Sequence, residues 1–330
     1  MARIEELPER ILRDAPVVVV VGDAILDRWW TGGSRRLSRE APVPIVEVES
    51  QVDSPGGAAN AAMNLAALGA RARLVAAVGA DVAGDRMTRL LAAGGVDVRG
   101  VLSSPTVPTV TKTRIVADEQ VLLRADLETH ADGDHRREEL AEQLAAELAA
   151  ALRAADALVV SDYGSGLLQQ AVSLALEHSP RPPVVVLDAH DVASWRWLHA
   201  DVVVPNAQEA AGLLGEQTGL VGADRRRAVE ASADLLINRS GAGAVIVTLD
   251  RDGALLLRAG EPPVPTRATP VAERYASGAG DTFTATLAAA LAVGADLEEA
   301  TRLAQHGADV ATRSLGTSVC TAEELAALLG

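Results

Sequence analysis

The sequence predicts a doubly wound α/β fold, a mainly parallel sheet with helices on both faces and a small β-sheet lid. Three observations lead there. Ala15–Gly22 (APVVVVVG) is a continuous β-branched run, as expected of a strand buried on both faces. Similar short runs alternate with segments of helical periodicity, and that alternation builds parallel sheets. Two other segments alternate apolar and polar residues, which gives strands with one wet face.

In chain order, the further strand runs are Ala72–Val78, Ala157–Ser161, Pro183–Leu187, Asp201–Val204 and Ala244–Leu249. The helical patterns between them are Ala58–Leu68, Ala83–Ala93, Arg136–Ala154, Leu167–Glu177, Ala207–Leu214 and Arg225–Asn238. The last third closes with helices over Asp281–Ala292, Leu297–Arg313 and Ala322–Leu329. The alternating segments are Pro44–Glu49, and Thr109–Ala117 with Val121–Asp126. They cannot be central strands of the main sheet. They predict a lid formed near residues 30–50 and 98–127 on a single domain spanning 1–330. Lid strands with apolar faces and open edges can pair between subunits, so a homodimer through the lid is a candidate assembly.

Composition narrows the function. The chain has 330 residues, 48% of them hydrophobic, enough for a large core. The net charge of −15 disfavours nucleic acid and anionic membrane surfaces, which are bound through clustered Lys and Arg. No apolar run reaches the length of a membrane span, and the charged start lacks a signal-peptide core, so a cytoplasmic protein is expected. Cys320 is the single cysteine, which excludes an intrachain disulfide framework. Lys112 is the single lysine among many arginines.

Four motifs carry chemistry. Ser277-Gly278-Ala279-Gly280-Asp281 opens a helix. Backbone N–H groups and the helix dipole there favour an anion, such as a phosphoryl group gaining charge in a transition state. Asp281, in the first turn, can take a proton from an attacking hydroxyl. Pro55-Gly56-Gly57-Ala58-Ala59-Asn60 lets backbone approach a ligand at Gly56 and Gly57. Asn60 both donates and accepts, as a polyol requires. Gly22–Trp30 places Asp23 and Asp27 at the C-terminal end of the first strand, where α/β sheets bind ligands. Both carboxylates can accept sugar hydroxyls, and Trp29 or Trp30 can pack on a sugar ring. Asn206-Ala207-Gln208-Glu209 reads as a capping box, and Glu209 can also help hold hydrated Mg²⁺. The histidines show no metal-ligand spacing, and Arg225–Arg227 reads as a solvated charge run.

Together these motifs resemble the ribokinase-like carbohydrate kinases of the PfkB family. PGGAANAAMNLAALG is similar to the family's N-terminal signature and ASGAGDTFTATLAAAL to its C-terminal one. Within the family, GDAILDRWW, SRRLSREAPVPIVEVES, TVTKTRIVADEQVLLRAD and SDYGSGLL resemble the kinases of D-glycero-D-manno-heptose 7-phosphate. The resemblance implies ATP and Mg²⁺ as cofactors and in-line transfer of the γ-phosphoryl group to a sugar hydroxyl, giving a 1,7-bisphosphate. It implies Asp281 as the base, with Gly278, Ala279 and Gly280 forming the anion hole. It also implies nucleotide contacts at Asn206, Glu209, Thr248, Asp250 and Gly253, with adenine near Gln305.

Many members of the heptose subgroup are fused to a nucleotidyltransferase. No HxGH motif occurs here, which predicts the kinase part alone. Ser165, Ala189, His190 and Tyr275 depart from the usual pattern. Tyr275 stands where an aspartate is common, which predicts little dependence on K⁺. Lys112 and Arg114 share a face of one predicted lid strand, and Arg124 lies on the next. Such a basic cluster suits an acceptor that already carries a phosphate. Two alternatives stay open: a related kinase for ribose-, fructose- or nucleoside-like acceptors, and a sugar-phosphate-binding protein without turnover.

Overall fold

The computed structural model describes residues 4–128, 134–215, 220, 222, 224–269, 278–313, 317 and 319–329. Helix α1 (Leu7–Asp14) leads into β1 (Val17–Gly22), and β2 (Ala24–Leu37) and β3 (Pro44–Gly57) follow as a long antiparallel pair. Next come α2 (Ala58–Ala67), β4 (Arg71–Gly79), α3 (Val82–Ala93), β5 (Asp97–Ser104), β6 (Val110–Ala117), β7 (Gln120–Leu127), α4 (Asp134–Leu152) and β8 (Ala157–Asp162). The second half holds α5 (Leu168–Glu177), β9 (Val184–Ala189), β10 (Val202–Val203), α6 (Ala207–Leu214), α7 (Arg225–Ala231) and α8 (Ala233–Ser240). It closes with β11 (Ala244–Thr248), β12 (Ala254–Arg258), β13 (Val264–Pro265), α9 (Ala279–Ala292), α10 (Leu297–Ala311) and α11 (Ala322–Leu329).

Nine strands form the main sheet in the order β13-β12-β11-β10-β9-β8-β1-β4-β5, parallel except at β12 and β13. Val18 and Val20 of β1 enter the core with Leu65, Leu74, Leu287 and Leu303. Val19 and Val21 enter the opposite core with Leu144, Leu148 and Val172. All four valines are fully buried, which is why the run carries no polar alternation.

The lid is a separate sheet in the order β3-β2-β6-β7. Its root is pinned to the main sheet at Asp23. The Asp23 N–H donates to the Ser161 carbonyl at 3.1 Å, and the Asp23 carbonyl accepts from Ala58 N–H at 3.1 Å. The lid therefore grows from the C-terminal end of β1 and returns into the start of α2.

Several expectations change. The lid is built from 24–57 and 110–127; residues 97–104 form β5, an edge strand of the main sheet. The segment after Gly22 forms the fourteen-residue strand β2, an element not among the expected strands. Strand β12 and helix α1 are additional elements. The helix expected over Arg225–Asn238 breaks at Ser232, where φ is −102° and ψ 7°. No helix among the described residues is long and apolar enough to cross a membrane.

Candidate active site

Gly278 caps α9 with φ +84°, and a Cβ there would lie 2.7 Å from Asn60 Nδ2 and 2.9 Å from Thr317 Cγ2. Only glycine makes this turn without strain. Ala279 and Gly280 follow with backbone N–H groups at the helix start. Asp281, in the same turn, points inward and is 6% exposed. Its Oδ2 accepts from Asn60 Nδ2 at 2.9 Å and its Oδ1 accepts from the Tyr163 hydroxyl at 2.7 Å.

Burial raises Asp281 to a pKa of about 6, and the charge of Asp27 adds to the rise, while the Asn60 and Tyr163 donors oppose it. The carboxylate is therefore ionised at neutral pH yet holds a proton readily, as a general base requires. Asp188, at the end of β9, is pushed to about 8 by burial first, then by Asp281 and Glu209. Thr284 Oγ1 donates to it at 3.2 Å.

The sugar-side residues divide. Asp27 is buried close enough to Asp281 for the two charges to interact. It accepts from Arg114 Nη1 at 2.5 Å and from Thr317 Oγ1 at 3.1 Å. A Cβ at Gly56 would lie 2.4 Å from Asp27 Oδ2, and one at Gly57, where φ is +57°, would lie 2.7 Å from the Asp23 carbonyl. Both glycines thus permit close backbone packing.

Asn60 is expected to face a sugar, but it is buried. Its amide N–H reaches Asp281 and its carbonyl accepts from Asn64. Asp23 is likewise turned inward, where its Oδ2 accepts the Tyr163 N–H at 2.8 Å, and burial raises its pKa. The face of Trp29 is covered by the Arg114 guanidinium at 4.8 Å.

Lys112 lies on β6 with its Nζ 5.6 Å over the Tyr163 ring. Arg124 stands opposite Arg114 in the β6–β7 register and pairs with Asp126 at 2.9 Å. The three cations share the cleft-facing side of the lid. Arg114 and Arg124 are already paired with carboxylates.

On the far side of the α9 start lies a cavity of about 630 Å³. Asn206, Thr248, Asp250, Gly253 and Gln305 line it, together with Ala279 and Gly280 of the glycine turn. Gln305 presents little free amide: its Oε1 accepts from Thr266 at 2.9 Å and its Nε2 donates to Asp309 at 3.0 Å. Arg225 also lines the cavity and pairs with Asp250 and Asp252, so this arginine is not on a solvated face. Ser277 and Tyr275 lie outside the described residues, and with them the K⁺ expectation.

The capping box at α6 is complete: Asn206 accepts from Gln208 and Glu209 N–H, and Glu209 Oε2 accepts from Asn206 N–H at 2.8 Å. Glu209 Oε1 points away from the box, 3.8 Å from His190 Nε2. Burial raises the Glu209 pKa, so a nearby cation would stabilise its charge. Among the described residues no three His, Cys, Asp or Glu side chains are grouped to hold a metal. One carboxylate plus nucleotide phosphates is the usual Mg²⁺ arrangement, and Glu209 fits it.

Tyr163 and Asp188 are site residues to which the sequence motifs assign no role, although Tyr163 lies within the SDYGSGLL segment. Each stands at the C-terminal end of a parallel strand, a position that also marks both.

The chain is 40% identical over 314 residues to the bifunctional protein HldE of Azotobacter vinelandii, covering 94% of this chain and 63% of that protein. The chain thus spans under two thirds of that relative. The ribokinase of Arabidopsis thaliana, solved with ribose and ATP, superposes with a TM-score of 0.69 at 22% identity, over 96% of this chain and 99% of that one. The phosphofructokinase-2 of Escherichia coli, solved with fructose-6-phosphate, gives 0.74 at 21% identity, over 96% and 99%. Residues 16–324 match the family described as pfkB family carbohydrate kinase, and the chain belongs to that family.

Proposed function

We propose that the chain transfers the γ-phosphoryl group of ATP to O1 of D-glycero-D-manno-heptose 7-phosphate. The carrying observation is Asp281, a buried carboxylate with a pKa of about 6 at the anion-hole turn. It lies between a nucleotide-sized cavity and a lid whose cleft side carries Asp27, Lys112 and Arg114. The heptose assignment rests on the four segments resembling that subgroup and on the 40% identity to HldE.

In this reading the cavity holds ATP with its γ-phosphate toward Ala279 and Gly280. Glu209 would hold Mg²⁺ together with the nucleotide phosphates, and the ion would supply neutralisation of phosphate charge. Asp27 orients the acceptor, and Lys112 attracts its phosphate, with Arg124, already paired with Asp126, in a lesser role. Asp281 accepts the O1 proton as the new O–P bond forms and the β–γ bridging P–O bond breaks. The lid limits water access, which suppresses ATP hydrolysis. Two chains pair through the lid, where Val121, Leu123 and Leu127 of the edge strand β7 are exposed.

ATP consumption measured against a panel of sugars and sugar phosphates tests the reading. Preference for heptose 7-phosphate supports it. Preference for ribose, fructose or a nucleoside reassigns the acceptor, and binding without turnover leaves a sugar-phosphate-binding protein.

A further inference from the structure

Tyr163 is one of only two tyrosines in the chain. It follows β8 directly and is fixed from four sides. Its N–H is bound by Asp23. Its ring lies against Gly57, where a Cβ would come within 3.2 Å of Cε2. Lys112 lies over the ring at 5.6 Å, and the His190 ring meets it edge-on at 4.9 Å. The ring therefore has little freedom to rotate, and its hydroxyl sits 2.7 Å from Asp281 Oδ1.

We propose that Tyr163 is a positioning residue for the Asp281 base, its hydroxyl fixing the carboxylate so that the remaining lone pairs meet the acceptor hydroxyl. The inference deepens the kinase reading and rests on it. A carboxylate torsion is broad and roughly two-fold, so a buried Asp held at one oxygen can still swing. Here Asn60 holds Oδ2 and Tyr163 holds Oδ1. An ionised carboxylate offers about four acceptor positions, so these two donors and the Gly57 N–H leave room for one more. Burial and the carboxylates of Asp281 and Asp188 push the Tyr163 phenol well above its ordinary range, so it stays a donor wherever Asp281 is ionised. Lys112 on the ring face links this donor to the lid.

Tyr163→Phe keeps the ring between Lys112 and His190 and removes only the donor. The expected result is a kcat lower by about ten- to a hundredfold, from lost alignment, with KM for ATP unchanged. The acid limb of the pH profile should also move to higher pH, because a donor that favours the ionised form is gone. Asp27 of β2, Lys112 of β6, Asp188 and His190 of β9 and its following turn, and Glu209 of α6 face the same space and stay unchanged in the variant. Carboxyl ¹³C NMR of the resting protein, with Asp281 assigned through Asp281→Asn, follows the same titration without turnover. An unmoved Asp281 midpoint, or a kcat within about twofold of wild type, overturns the proposal. If wild type phosphorylates no sugar on the panel, the kinase reading fails by itself. The NMR midpoint then still decides whether Tyr163 sets the state of Asp281.

Discussion

Arg114 Nη1 meets Asp27 Oδ1 at 2.5 Å across the β6–β2 seam, with the guanidinium lying over Trp29 at 4.8 Å. The pair ties the middle of the lid to Asp27, the residue proposed to orient the acceptor. Both side chains are largely buried, at 15% and 8% exposure, so removing one partner strands the other. Arg114→Ala should cost about 3 kcal/mol of stability, read by urea unfolding. Arg114→Lys should recover only part of it, since lysine lacks the planar fork that stacks on Trp29. Equal stability of Arg114→Ala and wild type would remove this pair from the lid's support.

Asp281→Asn should lower kcat by about 10²–10⁴-fold while nucleotide affinity, measured by calorimetry, is retained. The wild-type kcat/KM should rise with pH through about 6 and level above it, because Asp281 must be ionised to accept a proton. A flat profile across that window contradicts the base assignment.

Asp188 bears on stability in the opposite direction. Its native pKa of about 8 exceeds the ordinary 3.8, so the native state binds the extra proton between those values. Stability is therefore lost as pH rises from about 4 to about 8, by linkage. Asp188→Asn cannot ionise and keeps an acceptor for the Thr284 hydroxyl. Its melting temperature should exceed wild type by a margin that grows over that window and vanishes at its acidic end. A margin independent of pH would show that Asp188 is not held protonated.

Strand β1 is legible in the sequence because both its faces are buried, so its composition needs no partner to interpret. Strand β2 is not. It carries Asp27 and Trp29 toward the cleft, and its pairing slips at Thr31/Gly32 and Gly33/Arg36, so no clean alternation survives. The glycine turn and Asp281 are legible because a helix start is a local feature. Tyr163 is not, because its hydroxyl partner lies 118 residues away. Arg225 misleads for the same reason: its charge run looks solvated until β11 brings Asp250 and Asp252 alongside. Asn60 is found as a site residue, but its direction depends on how α2 meets α9.

Gly278→Ala tests the turn itself. At φ +84° a side chain is strained, and its Cβ would press on the same Asn60 amide that holds Asp281. The expected result is a kcat lower by more than tenfold, about the effect of a modest misplacement of the base. The loss of stability, about 1–3 kcal/mol, should show in thermal unfolding. Unchanged kcat would mean that the turn and Asn60 can relax without moving Asp281.

A Lys112 variant tests whether the acceptor carries a phosphate. Lys112 is the chain's only lysine, and it stands on the cleft side of β6 between Asp27 and the Tyr163 ring. Arg114 on the same face is paired with Asp27, and Arg124 with Asp126, so neither guanidinium is a bare cation awaiting an anion. A compact ammonium with rotatable donors can turn from a ring face toward a phosphate, which the fixed fork of arginine does less readily. In a chain of net charge −15, a local positive site is also what lets a dianion approach. Wild type should therefore use heptose 7-phosphate far better than unphosphorylated heptose, and Lys112→Ala should lose most of that preference through KM. Arg124→Ala should have a smaller effect, since it stands on the exposed edge strand. Equal use of both sugars by wild type would overturn the phosphate site and move the acceptor toward free sugars. A Lys112→Ala variant that keeps the full preference would shift the phosphate to other groups on the lid.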